Sequence, residues 1–150
     1  MHIKTRTMQT AVENTLSETL DMKFLATEYV TDFGNRIGTL AIDDQGAPVI
    51  IMYKQTRTDN VVGQAVSAAK WTQAQSPTFF RILLEDKLGP SASHHLNWGA
   101  PRIVCIAEAF SRVDLDTAAD LSTVIELFKF RPHTNKAFSL TPVSMERVAA

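Results

Sequence analysis

The sequence predicts an α/β sandwich with a mixed central sheet, on three observations. The segment Arg36 to Lys54, RIGTLAIDDQGAPVIIMYK, reads as two strands joined by a tight turn. The centre of its second strand, Val49-Ile50-Ile51-Met52, is continuously apolar, as suits a strand covered on both faces in the middle of a sheet. Helical stripes precede and follow this hairpin, so the element order reads α-β-β-β-α-α-β-α-β-β.

Each element has a local cause. Thr10 to Met22 carries Val12, Leu16 and Leu20 at spacings of four, one helical stripe, with Glu13, Ser17 and Asp21 as a polar stripe beside it. Phe24 to Val30 reads as a short strand, and Asp32 to Asn35 as a turn in which Gly34 can take positive φ. The hairpin strands follow as Arg36 to Ile42 and Pro48 to Lys54, with Asp43-Asp44-Gln45-Gly46 as the turn. Asp59 or Asn60 can cap a helix that runs to about Gln73 and is rich in small residues. Ser76-Pro77 fits an N-cap followed by proline in the first turn of a second helix, which stops at Gly89-Pro90. An irregular loop with His94, His95 and Trp98 leads to the apolar strand Pro101 to Ala107. Ser111 to Leu121 reads as a helix whose early Asp114 and Asp116 complement the helix dipole. Val124 to Phe130 and Lys136 to Leu140 form a last strand pair across 132–135.

Composition narrows the function classes. A chain of 150 residues suits one domain, with a core expected over about 10–141 and a mobile tail at 142–150. The net charge of −1 gives no global field that draws nucleic acid, so any basic surface is local. A single cysteine, Cys105, excludes an intramolecular disulfide, and its place within IVCIA marks it as a buried small hydrophobe. The N-terminus lacks the apolar stretch of a signal peptide and no run reaches the ~20 residues of a membrane span, so a cytoplasmic, reducing setting is expected, with no membrane partner.

The Arg36–Lys54 hairpin resembles the core hairpin of the PD-(D/E)XK nuclease superfamily, and the chain resembles a bacterial stand-alone branch of it. DNVVGQAVSAAKW, NWGAPRIVCIAEAFSRVDLDTA and the segment ending in KFRPH match further pieces of that branch, in order. The resemblance implies a restriction-endonuclease-like sandwich. In such nucleases an acid near the start of the second core strand and another near the end of the third hold Mg²⁺ or Mn²⁺. A lysine two residues beyond the second acid shares its face, because residues i and i+2 on a strand point the same way. Hard oxygen ligands suit magnesium, which polarises the phosphate and activates water, while the lysine offsets developing charge.

Carried over position by position, the first acid falls on Gly38 and the second on Met52, while Lys54 keeps the lysine and Gln64 matches a glutamine of the next helix. Glycine offers no ligand and a thioether is a poor one for magnesium. The expectation is therefore a catalytically degenerate nuclease-like domain with no resident cofactor. If activity remains, Mg²⁺ or Mn²⁺ would be held by acids from elsewhere, Glu13 on the first helix leading, with Glu28 and Asp32 behind it. The catalytic candidates are thus Lys54, Glu13 and Gln64. Lys54 also has a plain reading as a strand-end lysine that reaches solvent, and Asp43 and Asp44 read as turn residues. His94 and His95 are neighbours in a loop without a third ligand. Arg36, Lys54, Arg57 and Lys70 lie near the cleft in sequence and form the expected nucleic-acid contacts. Lys129, Arg131, His133 and Lys136 cluster at the last hairpin.

Three functions fit these residues. The leading one is binding of nucleic acid, DNA foremost, by its phosphate backbone, or of a protein partner, without catalysis. The second is a working metal-dependent DNA endonuclease or exonuclease with relocated acids. The third is a protein-interaction module, such as a regulator in phage–host conflict. The resemblance also makes a homodimer an arrangement open to the chain, with two clefts paired across a duplex.

Overall fold

The computed structural model describes residues 5–30, 36–54, 59–75, 77–91, 96, 101–120 and 124–143. Asp32, Gly34, Arg57, His94, His95, Trp98 and nearly all of the C-terminal tail lie outside them. The elements run α1 (Thr5–Asn14), α2 (Leu16–Thr19), β1 (Met22–Val30), β2 (Arg36–Asp43), β3 (Pro48–Tyr53), α3 (Val61–Ala74), α4 (Pro77–Leu88), β4 (Arg102–Ala107), α5 (Arg112–Asp120), β5 (Ile125–Pro132), a 3-10 turn (Thr134–Lys136) and β6 (Phe138–Pro142). The six strands form one sheet in sequential order. β1, β2 and β3 are antiparallel neighbours, β3, β4 and β5 are parallel, and β6 is antiparallel to β5. This is the mixed, helix-flanked sheet expected from the sequence. Among the described residues no helix is long and apolar enough to cross a membrane.

The parallel pairs explain the placement of the helices, since parallel strands need long crossovers, which here contain α3 and α4 and then α5. These helices cover one face. Val61, Val62, Ala65, Ala68, Ala69 and Trp71 of α3 pack with Phe80 and Leu84 of α4, Ala118 of α5 and the sheet residues Leu40, Ile50, Met52, Ile103 and Cys105. α1 and α2 cover the other face, where Met8 and Val12 of α1 and Leu16 of α2 meet Ala41, Val49, Ile51, Tyr53, Val104 and Ile106. Every residue of β3 is buried, the result of that double covering.

Some boundaries differ from expectation. The first helix starts at Thr5, because Met8 extends the Val12–Leu16 stripe one turn further back. It also breaks at Thr15, whose hydroxyl donates to the Ala11 carbonyl and competes with the helix ladder. β1 begins two residues earlier than expected and carries a bulge between Phe24 and Ala26. β5 and β6 each run two residues further, and a 3-10 turn with Asn135 at φ 60 joins them. Other signals lie where the sequence puts them. The Asn60 side chain accepts from the Gly63 N–H as an N-cap, α4 begins at Pro77, and Gly89 takes φ 99 just past its end. Cys105 and Trp71 are buried.

Asp43 combines turn and tertiary roles. Its Oδ1 accepts from the Gln45 and Ala47 N–H groups, and Gly46 closes the turn at φ 81. Its Oδ2 accepts from Arg102 Nη1 at 3.2 Å, while Arg102 Nε and Nη2 grip Glu126 at 2.9 and 2.6 Å. That clasp ties β4 to β5 and to the β2–β3 turn, at one end of the sheet. The opposite end, where β3, β4 and β5 finish, holds the candidate site.

Candidate functional site

Antiparallel pairing of Thr39 with Ile51 and of Leu40 with Ile50 carries the start of β2 to the end of β3. Gly38, Met52 and Lys54 therefore gather at one end of the sheet, as the hairpin reading requires. Met52 and Lys54 share one face, but the Cβ direction of Gly38 points to Tyr53 on the other. Ordinary alternation gives Met52 to the α3 face and Tyr53 to the α1 face. Lys54 follows Met52, and its N–H is bonded to the Ile106 carbonyl at 3.0 Å.

Lys54 does not reach solvent. Its Nζ forms an ion pair and hydrogen bond with Asp114 Oδ2, and the two side chains are 7% and 3% exposed. Asp114 is fixed in turn by a capping box. Its N–H donates to Ser111 Oγ at 3.1 Å, and its Oδ2 accepts from the Ser111 N–H at 2.9 Å. The lysine thus meets a preorganised carboxylate at the first turn of α5. The plain reading of Lys54 as a solvated strand-end residue is corrected: it is buried because Asp114 supplies its counter-charge.

On the other face a polar chain runs from α1 to the sheet. Gln9 Nε2 donates to the Gly38 carbonyl at 2.7 Å and to Thr27 Oγ1 at 3.0 Å, with Glu13 Oε2 at 3.3 Å. Thr39 Oγ1 donates to Glu13 Oε2 at 2.6 Å, so the Tyr53 hydroxyl, 2.8 Å from the same oxygen, must donate to Thr39. Burial pushes the Tyr53 hydroxyl well above the usual tyrosine range, the Thr39 bond opposes that, and the nearby charges of Glu13 and Glu28 add to it. Glu13 thus lies on the α1 side and Lys54 on the side of α3 and α5.

Two irregular residues shape this region. Glu28 sits inside β1 at φ 50, a left-handed conformation that favours glycine and is uncommon within a strand. The residues beside it, Thr27 and Tyr29, point to opposite faces: Thr27 to Gln9, and Tyr29 to Trp71 and Phe79, with ring centroids 5.7 and 6.1 Å away. Across the ladder, Thr39 faces Glu13 while Ile37 joins the α3-side core, so Gly38 carries the matching flip in β2. A Cβ at Gly38 would lie 2.8 Å from Tyr53 Cδ2 and 3.0 Å from the Ile51 carbonyl oxygen. The Tyr53 ring fills the space that a side chain at position 38 would need.

These residues do not suit a magnesium or manganese ion. Gly38 has no ligand, Met52 is 8% exposed and brings a soft sulfur, and Lys54 is a cation already paired. Among the described residues, no group of three or more His, Cys, Asp and Glu could hold a metal. Of the other candidates, Gln64 is exposed on α3, as is Lys70, and Arg36 is exposed at the start of β2. Sequence reasoning missed Gln9, Thr39 and Tyr53, and it gave Asp114 only a helix-dipole role. The Ser111-x-x-Asp114 capping pattern and the i,i+4 spacing of Gln9 and Glu13 were the available signals.

No protein-family model matches the chain, and no curated protein sequence does. Two solved structures share its fold. One is EndoMS in complex with double-stranded DNA, at a TM-score of 0.55 and 14% identity over 86% of this chain. The other is a repair endonuclease from Pyrococcus abyssi, at a TM-score of 0.50 and 14% identity, again over 86% of this chain. The chain spans about half the length of these proteins, 46% and 47%. The chain shares the fold of these two endonuclease structures, a mixed six-stranded sheet flanked by helices, in agreement with the sandwich that the hairpin resemblance implied.

Proposed function

We propose that this nuclease-fold chain holds a nucleic-acid phosphate backbone, DNA foremost, without cutting it. One observation carries the reading: the Tyr53 ring occupies the side-chain space at Gly38, the position of the first metal-binding acid. The second acid position is a buried methionine, and the remaining lysine is bound to Asp114. Two of the cations expected at the cleft remain available. Arg36 and Lys70 are exposed and carry no ion pair among the described residues. Exposed cations with no carboxylate partner attract phosphate at low salt. The reading also includes a cytoplasmic setting and a homodimer that pairs two such clefts across a duplex.

The test is an assay of single- and double-stranded DNA with Mg²⁺ or Mn²⁺, with EDTA as control, alongside a binding titration over a range of salt. Binding that weakens steeply with salt, without cleavage, is expected. Cleavage that requires metal overturns the non-catalytic part of the reading. Neither cleavage nor binding rejects it in favour of a protein partner.

A working nuclease is the second reading, favoured by one feature. The Glu13 carboxylate is oriented by Gln9 and Thr39, with Glu28 close enough to share its influence on Tyr53. It predicts metal-dependent cleavage that Glu13→Gln abolishes while the protein stays folded; cleavage that survives the substitution excludes Glu13.

A further inference from the structure

The last hairpin is amphipathic in a way that the core does not explain. Phe128, Phe130, Phe138 and Leu140 turn to the α1-side core, where Phe130 and Phe138 stack at 4.8 Å and 17°. The alternate residues form two rungs on the opposite face, Lys129 across from Thr141 and Arg131 across from Ser139. Lys129, Arg131 and Thr141 are exposed. His133 extends the set, with its Nε2 3.0 Å from Ser139 Oγ.

The charge on this ribbon is one-signed. From Leu127 to Val143 the sequence carries Lys129, Arg131, Lys136 and His133 and no Asp or Glu, in a chain whose net charge is −1. The nearest acid along β5, Glu126, is bound to Arg102. Lys129 and Arg131 form no ion pair among the described residues. A solvated surface of ordinary composition mixes the signs; this one sets Lys129 and Arg131 each across from a hydroxyl residue on the neighbouring strand.

Register places the ribbon beside the candidate site. The Tyr53–Ile106 and Ile106–Phe128 pairs align the ends of β3, β4 and β5, and the Ala107–Lys129 and Lys129–Thr141 pairs form the next row outward. Lys129 therefore stands two strands from Lys54, roughly 10 Å away at the ordinary strand spacing. Lys129 and Arg131 are two residues apart on one face, about 6.8 Å, a spacing on the scale of neighbouring charges on a duplex that carries one per ~3.4 Å of helix axis on each strand.

We infer that the Lys129–Arg131 face of the β5–β6 ribbon is a phosphate-backbone contact surface, and that nucleic acid lies across the strand ends from Arg36 to this ribbon. The inference rests on the nucleic-acid reading above and adds a second contact surface to Arg36 and Lys70. Cations and hydroxyls reading no bases give affinity without sequence preference.

The test is fluorescence anisotropy of the full chain with a labelled DNA duplex over a salt series. It compares the unchanged protein, Lys129→Glu/Arg131→Glu, Lys129→Ala/Arg131→Ala, and Arg36→Ala/Lys70→Ala. Both ribbon positions are exposed, so circular dichroism should show the same fold and melting for every variant. The charge-reversed ribbon variant should bind at least tenfold more weakly, and the alanine ribbon variant should lower the slope of log K against log salt by about 2, one for each lost phosphate contact. Ribbon variants that bind like the unchanged protein, while Arg36→Ala/Lys70→Ala loses affinity, overturn the ribbon and leave the nucleic-acid reading standing. An unchanged protein that does not bind DNA at low salt overturns both.

Discussion

Lys54 and Asp114 form a buried ion pair that ties the end of β3 to the first turn of α5. The carboxylate is also held by the Ser111 N–H, so it is positioned before the lysine arrives. Replacing the lysine leaves a buried carboxylate with only one strong partner. Loss of one member of such a pair costs about 3–5 kcal/mol, and the surviving Ser111 bond puts Lys54→Met at the lower end, about 3 kcal/mol. Lys54→Met/Asp114→Asn should recover most of that loss, because the neutral amide oxygen at position 114 can still accept from the Ser111 N–H. Urea denaturation of the four species in a double-mutant cycle measures the coupling. A Lys54→Met protein with an unchanged midpoint would show that the pair contributes nothing. A functional assay of any Lys54 variant must be read against this loss of stability.

Acids placed at positions 38 and 52 should not create a metal site. An aspartate at position 38 must displace the Tyr53 ring, which a Cβ alone would approach to 2.8 Å. A glutamate at position 52 would bury its carboxylate on the α3-side core. We expect Gly38→Asp/Met52→Glu to be less stable by more than about 3 kcal/mol, from overpacking and an unpaired buried charge together. Thermal denaturation with and without Mg²⁺ checks this. A doubly substituted protein that melts at the original temperature and gains several degrees on adding Mg²⁺ would mean that Tyr53 yields easily and that positions 38 and 52 can hold a metal.

The sequence made the sheet legible because its signals are local. The apolar run Val49–Met52 announced a strand covered on both faces, and Asn60, Pro77 and Gly89 marked helix ends through their own backbone chemistry. Position-by-position comparison placed Gly38, Met52 and Lys54 at one end of the hairpin. It did not show which face each side chain serves, because that depends on Glu28 at φ 50 and on the flip at Gly38, and neither has a pattern in one sequence. The Lys54–Asp114 pair was hidden for a related reason: its members are 60 residues apart and meet only when the β4–α5 connection folds back.

The polar chain on the α1 face should be cooperative. Thr39 accepts from Tyr53 and donates to Glu13, so removing its hydroxyl strands both neighbours. Thr39→Val, nearly isosteric, should cost about 1–3 kcal/mol, the penalty for buried polar groups left unpaired. Tyr53→Phe should cost less, because Thr39 keeps its bond to Glu13. Chemical denaturation of the two variants gives the order; a Tyr53→Phe protein less stable than Thr39→Val would show that the tyrosine, not the threonine, anchors the chain.

Two buried groups, Cys105 and Tyr53, should make the fold lose stability in alkali. Burial pushes the Cys105 thiol up to about 12, with the charge of Asp114 adding to it, and burial likewise raises the Tyr53 hydroxyl. In the unfolded chain a thiol ionises near pH ~8.5 and a tyrosine near ~10. Below those values both states hold the proton and folding is unaffected by it. Above them the unfolded state releases protons that the folded state retains, so stability falls as pH rises, by up to about 1.4 kcal/mol per pH unit for each group. The melting temperature should therefore hold to about pH 8.5 and decline from there, more steeply beyond pH ~10. Cys105→Ala, compared with its own neutral-pH value, should remove the decline between pH ~8.5 and ~10 and leave only the tyrosine's share beyond it, whereas Tyr53→Phe should remove the added steepness beyond pH ~10. The same burial predicts that Cys105 reacts with a thiol reagent only after unfolding. Rapid labelling of the native protein at neutral pH, or a decline that neither substitution alters, would place the alkaline transition in other groups.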